Sequence, residues 1–463
     1  MWKYGILAAA FAGILLAPAP EGLDPQAWTL FAVYAAAILG IMLRPQTEPV
    51  VMMVVISVST FFVPIGTLLS GFANATVWMV FSAFLISQAF ADTGLGQRVA
   101  CHLVGRFGKT SLGLAYAAAI TDLVISPATP SNTARTGGIV YPIFRSVSSA
   151  LGSEPGETGK RFGSYLTLTI YQISLITAGL FVTACAPNIL SVTFAKDIFG
   201  IDISWMDWMK AALLPGLIIL AATPYIVYKI YPPEIKRNDD ASTIAADRLR
   251  DLGPMSVKEK ILVVFFILAI AGWATSSITK INSTAVALLF FSGCVVCRLL
   301  TWDTVLKNTG AWSTMVWYGG IIGISGALAK AGFFKWMAVV LQNNVDFTGL
   351  SPVMGLFAIL MISLVFRYLF ASMAAFVTTF VPVLMTIGLA ANVPAFPLAM
   401  LLGLSGCFGA LLTHYGGAVA PVLFGTGYVD QGTWWKVGAV IVIFNVLIYM
   451  TIGLPYWKMV GFW

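Results

Sequence analysis

Long apolar stretches, separated by short polar joints, run the length of the chain. Clear runs cover residues 28–43, 50–69, 162–184, 211–230, 261–275, 284–300 and 437–459. A helix of about 17–25 apolar residues crosses the hydrocarbon core of a bilayer, and these runs approach or reach that length. They predict an all-α polytopic membrane protein. One segment breaks the pattern. Residues 126–138 read Ser-Pro-Ala-Thr-Pro-Ser-Asn-Thr-Ala-Arg-Thr-Gly-Gly, between apolar flanks at 111–125 and 139–144. Unpaired backbone groups at membrane depth cost several kcal/mol each, so such an island persists only where protein or a wet cavity covers it. It is the first place to look for a binding site.

A shorter apolar run at 5–17 follows Lys3 and precedes Pro18-Ala-Pro20. That arrangement is compatible with a signal peptide. The turn at 21–25 leads straight into the next run, which favours a retained short first span.

Composition agrees with the pattern. Hydrophobic residues make up 59% of the 463 and charged residues 10%, where a soluble domain carries about 25% charge. The net charge of +7 sits mostly in short loops, as the positive-inside rule expects, so no nucleic-acid partner is expected. The five cysteines are scattered. Cys294 and Cys297 have CxxC spacing, but no second pair or nearby histidine completes a zinc site. They read as small apolar helix residues, and no metal or cofactor is expected.

The chain also repeats itself. The segment from Trp78 to Gly94 and that from Trp317 to Gly332 both open on Trp and close on Ala-x-x-Gly. Ser131 to Pro142 has a counterpart from Ser372 to Pro382. Thr183-Ala-Cys-Ala-Pro187-Asn188 has one in Thr413-His414-Tyr-Gly-Gly-Ala-Val-Ala-Pro421. Charge orients the copies. Arg98, Arg106 and Lys109 precede the island, and Arg145, Lys160 and Arg161 follow it. Both flanks therefore read as cytoplasmic, and residues 111–150 form a re-entrant hairpin with Ser131, Asn132 and Thr133 at its tip. Between Lys335 and Lys436 the only Lys or Arg is Arg367, so the second hairpin enters from the other face. Two opposed hairpins in inverted repeats are the plan of a secondary transporter. The division expected is scaffold at 1–110, transport at 111–231, loop and scaffold at 232–350, and transport at 351–463.

Hairpin tips expose helix N-terminal N–H groups, and with Ser, Thr and Asn side chains these suit carboxylate oxygens. Thr129, Ser131, Asn132 and Thr133 are the candidates, with Gly137 allowing close approach of a ligand to backbone. The plain reading of a hydroxyl in a span is a bond to neighbouring backbone; a polar run mirrored across a repeat favours binding. Arg135, Arg367 and His414 outnumber Asp122 around the centre, so a small organic anion fits. Asp122 has a structural reading as the partner of Arg135 or as a helix cap.

Residues 126–142 closely resemble the divalent anion/sodium symporter family, and more narrowly its citrate/succinate, tartrate/succinate and oxoglutarate/malate exchanger branch. Residues 312–320, Leu412-Thr-His-Tyr-Gly-Gly417 and the stretch from Phe424 to Trp435 fit the same branch. The resemblance covers essentially the whole chain. It implies a homodimer in a bacterial inner membrane, not an enzyme, with an elevator-type transport domain moving against a scaffold. Di- or tricarboxylates would sit between the two tips. Thr183, Pro187, Asn188, Thr413, His414 and Pro421, in the two breaks, would line the same site. Exchangers of the branch place Arg after the first triplet and His after a Ser-x-Thr at the second. A tethered cation then replaces a mobile sodium ion, and Arg135 satisfies half of that pattern. The second tip departs from it, because Ser372, Met373, Ala374 and Phe376 stand there. Thr378, Thr379, Arg367 and His414 are the candidates to compensate. A smaller anion, or one with an apolar end resting on Met373 and Phe376, is the alternative, as is sodium-coupled symport.

Two other classes compete. Gly323-Ile-Ser325-Gly326 matches the Gly-x-Ser-Gly of intramembrane serine proteases, with His414 as possible base. A channel would show charged rings or subunit symmetry, whereas this chain has inverted halves.

Overall fold

The structure is a computed structural model that describes residues 2–237, 240–346 and 349–463. Among these it is helical throughout, and seven helices are long and apolar enough to cross a membrane, or up to eight if one bent pair counts as a single span. The halves carry the same elements in the same order. The first runs through Pro25–Leu43, Glu48–Ser59, Ala75–Thr93 and Leu95–Phe107 to a hairpin. It then continues through the broken pair Gly163–Leu180 and Ala186–Phe199 to Trp205–Ile230. The second runs through Val257–Ala274, Ser283–Val296, Thr309–Lys330 and Phe333–Asn344 to its own hairpin. Its broken pair is Ala395–Phe408 and Ala420–Phe424, and its last span begins with Gln431–Ile448.

The Trp-to-Gly repeat has a local cause. In each copy a long helix stops at a glycine in the left-handed region, Gly94 at φ 76° and Gly332 at φ 81°. Only glycine adopts that backbone without penalty, so it ends the helix and redirects the chain. The second copy bends by 60° there.

The run at 50–69, expected as one span, is broken. The helix ends at Ser59, Pro64 disfavours helix at the residue before it, and the chain resumes as Ile65–Leu69 and Ser70–Ala73. This returning segment presses into the second repeat's long helix. A Cβ on Gly71 would lie 1.9 Å from the Gly319 carbonyl oxygen and 2.4 Å from the Gly323 nitrogen. The glycines of that helix therefore serve close packing, and Met52 fills the groove at Gly320. The short first run is a helix, Trp2–Leu16, packed on Pro25–Leu43 through Leu7 and on the turn after Glu48–Ser59 through a Phe11–Phe62 ring contact.

Charged residues join the halves at the basic side. Ser111 N–H donates to the Lys236 carbonyl, and Ile235 N–H to that of Arg161. The base of the first hairpin is thus tied to the most basic loop. The base of the second carries Asp346 and no Lys or Arg, and there Gln342 donates to the Ala390 carbonyl at 2.9 Å. Arg98 meets Glu259 at 2.6 Å and also donates to the Gly253 carbonyl. Burial raises the Glu259 carboxyl, but the Arg98 bond and the Ser256 N–H and hydroxyl outweigh it, so it titrates below its ordinary 4.5. A lowered carboxyl contributes stability that is present above the ordinary value and lost as pH falls through the lowered one. Glu259→Gln is therefore expected to lower the unfolding temperature in detergent at neutral pH by several degrees. The gap to the unsubstituted protein should close as the pH is taken below that value.

Candidate functional site

The first hairpin enters as Ser111–Ile125, tightens through Ser126–Ala128, turns at 129–132 and returns as Thr133–Val140 and Tyr141–Ala150. The first stretch of the return is a π-helix, a winding that concentrates at functional sites. The second hairpin enters as Pro352–Arg367 and returns as Met373–Ala390. The two turns match in detail. Ser131 Oγ accepts the Ala134 N–H at 3.3 Å, and Ser372 Oγ accepts the Ala375 N–H at 3.3 Å. Ser372 is the N-cap of its return arm, and Ser131, one residue before the N-cap Asn132, makes the matching bond in the first; each arm presents the free first-turn N–H groups of a helix to whatever lies beyond the tip.

A cavity of about 350 Å³ lies where the tips meet. The first tip contributes Pro130, Ser131, Asn132 and Thr133, and the second Ala371, Ser372, Met373 and Ala374. Cys185, Ala186 and Pro187 of the first break and Tyr415, Gly417, Ala418, Val419 and Pro421 of the second complete that side. Phe84, Thr314, Trp317 and Arg44 face them. A larger cleft of about 660 Å³ around Asn74, Asp197 and Lys330 contains none of the expected site residues. The smaller cavity is the candidate because both tips and both breaks converge on it.

The remaining expected residues lie behind the lining and hold it in place. Arg135 is wholly buried. It meets Asp122 at 3.1 Å and donates to the carbonyls of Thr129 at 2.8 Å, Ala184 at 3.1 Å and Ser174 at 3.2 Å. Asp122 also accepts from Thr136 at 2.9 Å and from Thr177. The structural reading of Asp122 holds, and Arg135 sits under the tip, binding tip and break together, rather than in the cavity. Thr129 Oγ1 bonds back to the Ile125 carbonyl, and Gly137 abuts Val419 and Val422. Thr183 Oγ1 donates to the Pro127 carbonyl at 2.6 Å, and Asn188 to the Ala178 carbonyl at 2.7 Å. Thr413 is buried, with its carbonyl taken by Tyr171 at 3.2 Å. His414 Nδ1 accepts from Trp435 at 3.0 Å.

The second tip has its own cation, supplied by Arg367, one of the four candidates to compensate. Phe376 stands where Arg135 stands in the first copy and is wholly buried. The guanidinium of Arg367, from the entering arm, lies 5.4 Å over its ring. Arg367 donates to the carbonyls of Phe370 at 2.6 Å and Gly406 at 3.3 Å, and also to that of Gly416. Tip and break are thus pinned by one arginine in each half. The two differ in charge balance, because Arg367 has no carboxylate within 4.0 Å among the described residues. Of the other candidates, Thr378 bonds to the Ala374 carbonyl of its own helix, and the hydroxyl of half-buried Thr379 is enclosed without a hydrogen-bond partner.

Ser325 is buried within its helix and bonds to the Ile322 carbonyl, and His414 is taken by Trp435, so the protease pairing does not form. Among the described residues no group of three or more potential ligands could hold a metal ion. Cys185 and Tyr415 lie within the two breaks expected to line the site, whereas sequence reasoning missed Arg44, Phe84, Thr314 and Trp317. Thr314 and Trp317 lie in a motif already singled out, whereas Arg44 carries no local signal.

Comparison with known proteins gives the family and the fold. The family described as the sodium:sulfate symporter transmembrane region matches residues 1–463. The inner membrane protein YbhI of Escherichia coli is 44% identical, over 100% of this chain and 98% of its own. The putative malate transporter YflS of Bacillus subtilis is 37% identical, over 96% and 94%. A citrate/succinate antiporter of Escherichia coli is 30% identical, over 100% and 98%. In fold, the chain is similar to the crystal structure of the YdaH transporter of Alcanivorax borkumensis, with a TM-score of 0.51 at 12% identity over 99% and 97%. Matched along its whole length, this membrane-spanning chain belongs to the sodium:sulfate symporter family.

Proposed function

We propose that the chain carries small di- or tricarboxylate anions across the membrane by sodium-independent exchange. The observation that carries this is Arg367, a buried cation at the second tip with carbonyl partners and, among the described residues, no carboxylate within 4.0 Å. Arg135 is neutralised by Asp122, so the uncompensated charge of the empty site rests on Arg367 rather than on Arg135. Moving an uncompensated charge through the bilayer interior costs several kcal/mol. A bound anion cancels it, so the carrier returns only when loaded, which is exchange. Related chains named as malate transporter and citrate/succinate antiporter support the substrate class.

The substrate's carboxylates lie between the tips. Ser131, Asn132, Thr133 and the first-turn N–H groups take one end, and Ser372 with the second set of N–H groups takes the other. Met373, Pro187 and Pro421 hold the hydrocarbon part. Phe376, expected beside an apolar end, packs behind the tip instead. Residues 111–231 and 351–463 move as the transport part of an elevator against a scaffold of 1–110 and 232–350, in a homodimer. Tyr34, whose hydroxyl reaches the Thr378 carbonyl at 3.1 Å, then bonds across the seam between them.

Reconstituted protein tests the reading. Uptake of labelled malate or citrate should require internal dicarboxylate and should ignore sodium. Uptake into vesicles without internal anion, rising with a sodium gradient, would establish symport and sink the proposal.

A further inference from the structure

Arg44 is the one charged side chain among the residues lining the cavity between the tips. The two arginines beneath the tips do not face it. Arg44 ends the helix Pro25–Leu43 with φ 45°, in the left-handed region where glycine is the usual residue. Its N–H is held by the Gly40 carbonyl at 3.0 Å, and its own carbonyl accepts from Lys3 at 3.5 Å. A non-glycine residue held in that region is strained, and such outliers cluster at ligand clamps. The guanidinium meets Glu48 at 2.5 Å, with the two side chains 47% and 30% exposed. Exposed pairs of this kind add little stability, so another carboxylate can take the place of Glu48.

From this, and resting on the anion-carrier reading above, we propose that Arg44 is a substrate-selecting residue. It receives a carboxylate of the incoming anion in exchange for Glu48, while the tips bind the rest. The helix that carries it belongs to the part read as static, so the contact exists only while the site faces this way. Lys3 and Arg44 share one end of the bundle, which the positive-inside rule places in the cytoplasm. Arg44 therefore acts on the anion that loads from the cytoplasmic side and favours anions with a second carboxylate.

Exchange in proteoliposomes tests this with Arg44→Ala, Arg44→Lys, Glu48→Gln and Glu48→Ala. An exposed ion pair sets the scale. Arg44→Ala is expected to raise the half-saturating concentration of a dicarboxylate about two- to fivefold. It should change that of a monocarboxylate of similar length little, and the maximal rate should hold. Arg44→Lys should recover part of the loss. Both Glu48 variants should bind dicarboxylate at least as well as the unsubstituted protein, because the competing carboxylate is gone. Dicarboxylate half-saturation unchanged in Arg44→Ala would overturn the assignment. So would losses in the Glu48 variants equal to that of Arg44→Ala, which would make the pair purely structural. If the unsubstituted protein exchanges no carboxylate, the underlying reading fails; if it does and Arg44 is silent, only this proposal fails.

Discussion

Arg135→Ala is expected to abolish exchange and to cost about 3–5 kcal/mol of stability, the usual result of stripping one partner from a buried ion pair. Asp122 would stay at membrane depth with Thr136 and Thr177 as its hydrogen-bond donors and no cation. The carbonyls of Thr129, Ala184 and Ser174 would lose the donor that draws tip and break together. The double variant Arg135→Ala with Asp122→Asn separates the two effects. It removes the orphaned charge, so most of the unfolding temperature should return. Exchange should not, because Ser131, Asn132 and Thr133 are no longer positioned against the first break. Thermal unfolding in detergent and counterflow in vesicles read the two outcomes. A double variant that exchanges normally would show that Arg135 serves folding alone.

Gly71→Ala should prevent folding or leave a protein that aggregates on extraction. Inserting a methyl group into a packed core commonly costs about 1–3 kcal/mol, with flexible side chains yielding. Here the obstacle is backbone on both sides, at 1.9 Å from the Gly319 oxygen and 2.4 Å from the Gly323 nitrogen. Relief requires the returning segment to separate from the second repeat's long helix. Gly66→Ala, five positions away and with nothing within 4 Å of the added carbon, is the matched control and should be neutral. Size-exclusion profiles of the two variants make the comparison. A monodisperse, stable Gly71→Ala protein would contradict the packing described.

The parts legible in the sequence are those that a bilayer imposes. Most spans announced themselves by length and apolarity. The first hairpin did so because a polar run such as Ser131-Asn132-Thr133 has no cheap alternative at membrane depth. Gly94 and Gly332 were visible as the ends of a repeat, since the left-handed backbone requires that residue type in both copies. The turn at 60–64 was hidden because apolar composition continues through it, with Pro64 as the lone marker. The balance of charge was legible on one side only. Asp122, the one acid inside the hairpins, was named from the sequence as a partner of Arg135, and the pair forms. That Arg367 reaches the second tip without a carboxylate beside it depends on how the arms of that hairpin lie side by side, and no spacing rule gives that. Arg44 is the extreme case: its place beside the tips comes from helices far apart in the chain.

The arginine over the Phe376 ring bears on how such chains diverge. Aligned residue by residue, position 376 looks like a lost cation. In space nothing is lost, because the neighbouring arm supplies the charge. The constraint acts on a coordinate rather than on a column of an alignment. Sorting relatives of this fold by the residue in one column would therefore place a two-cation carrier among one-cation carriers. Sorting them by what fills the volume beneath each tip would not.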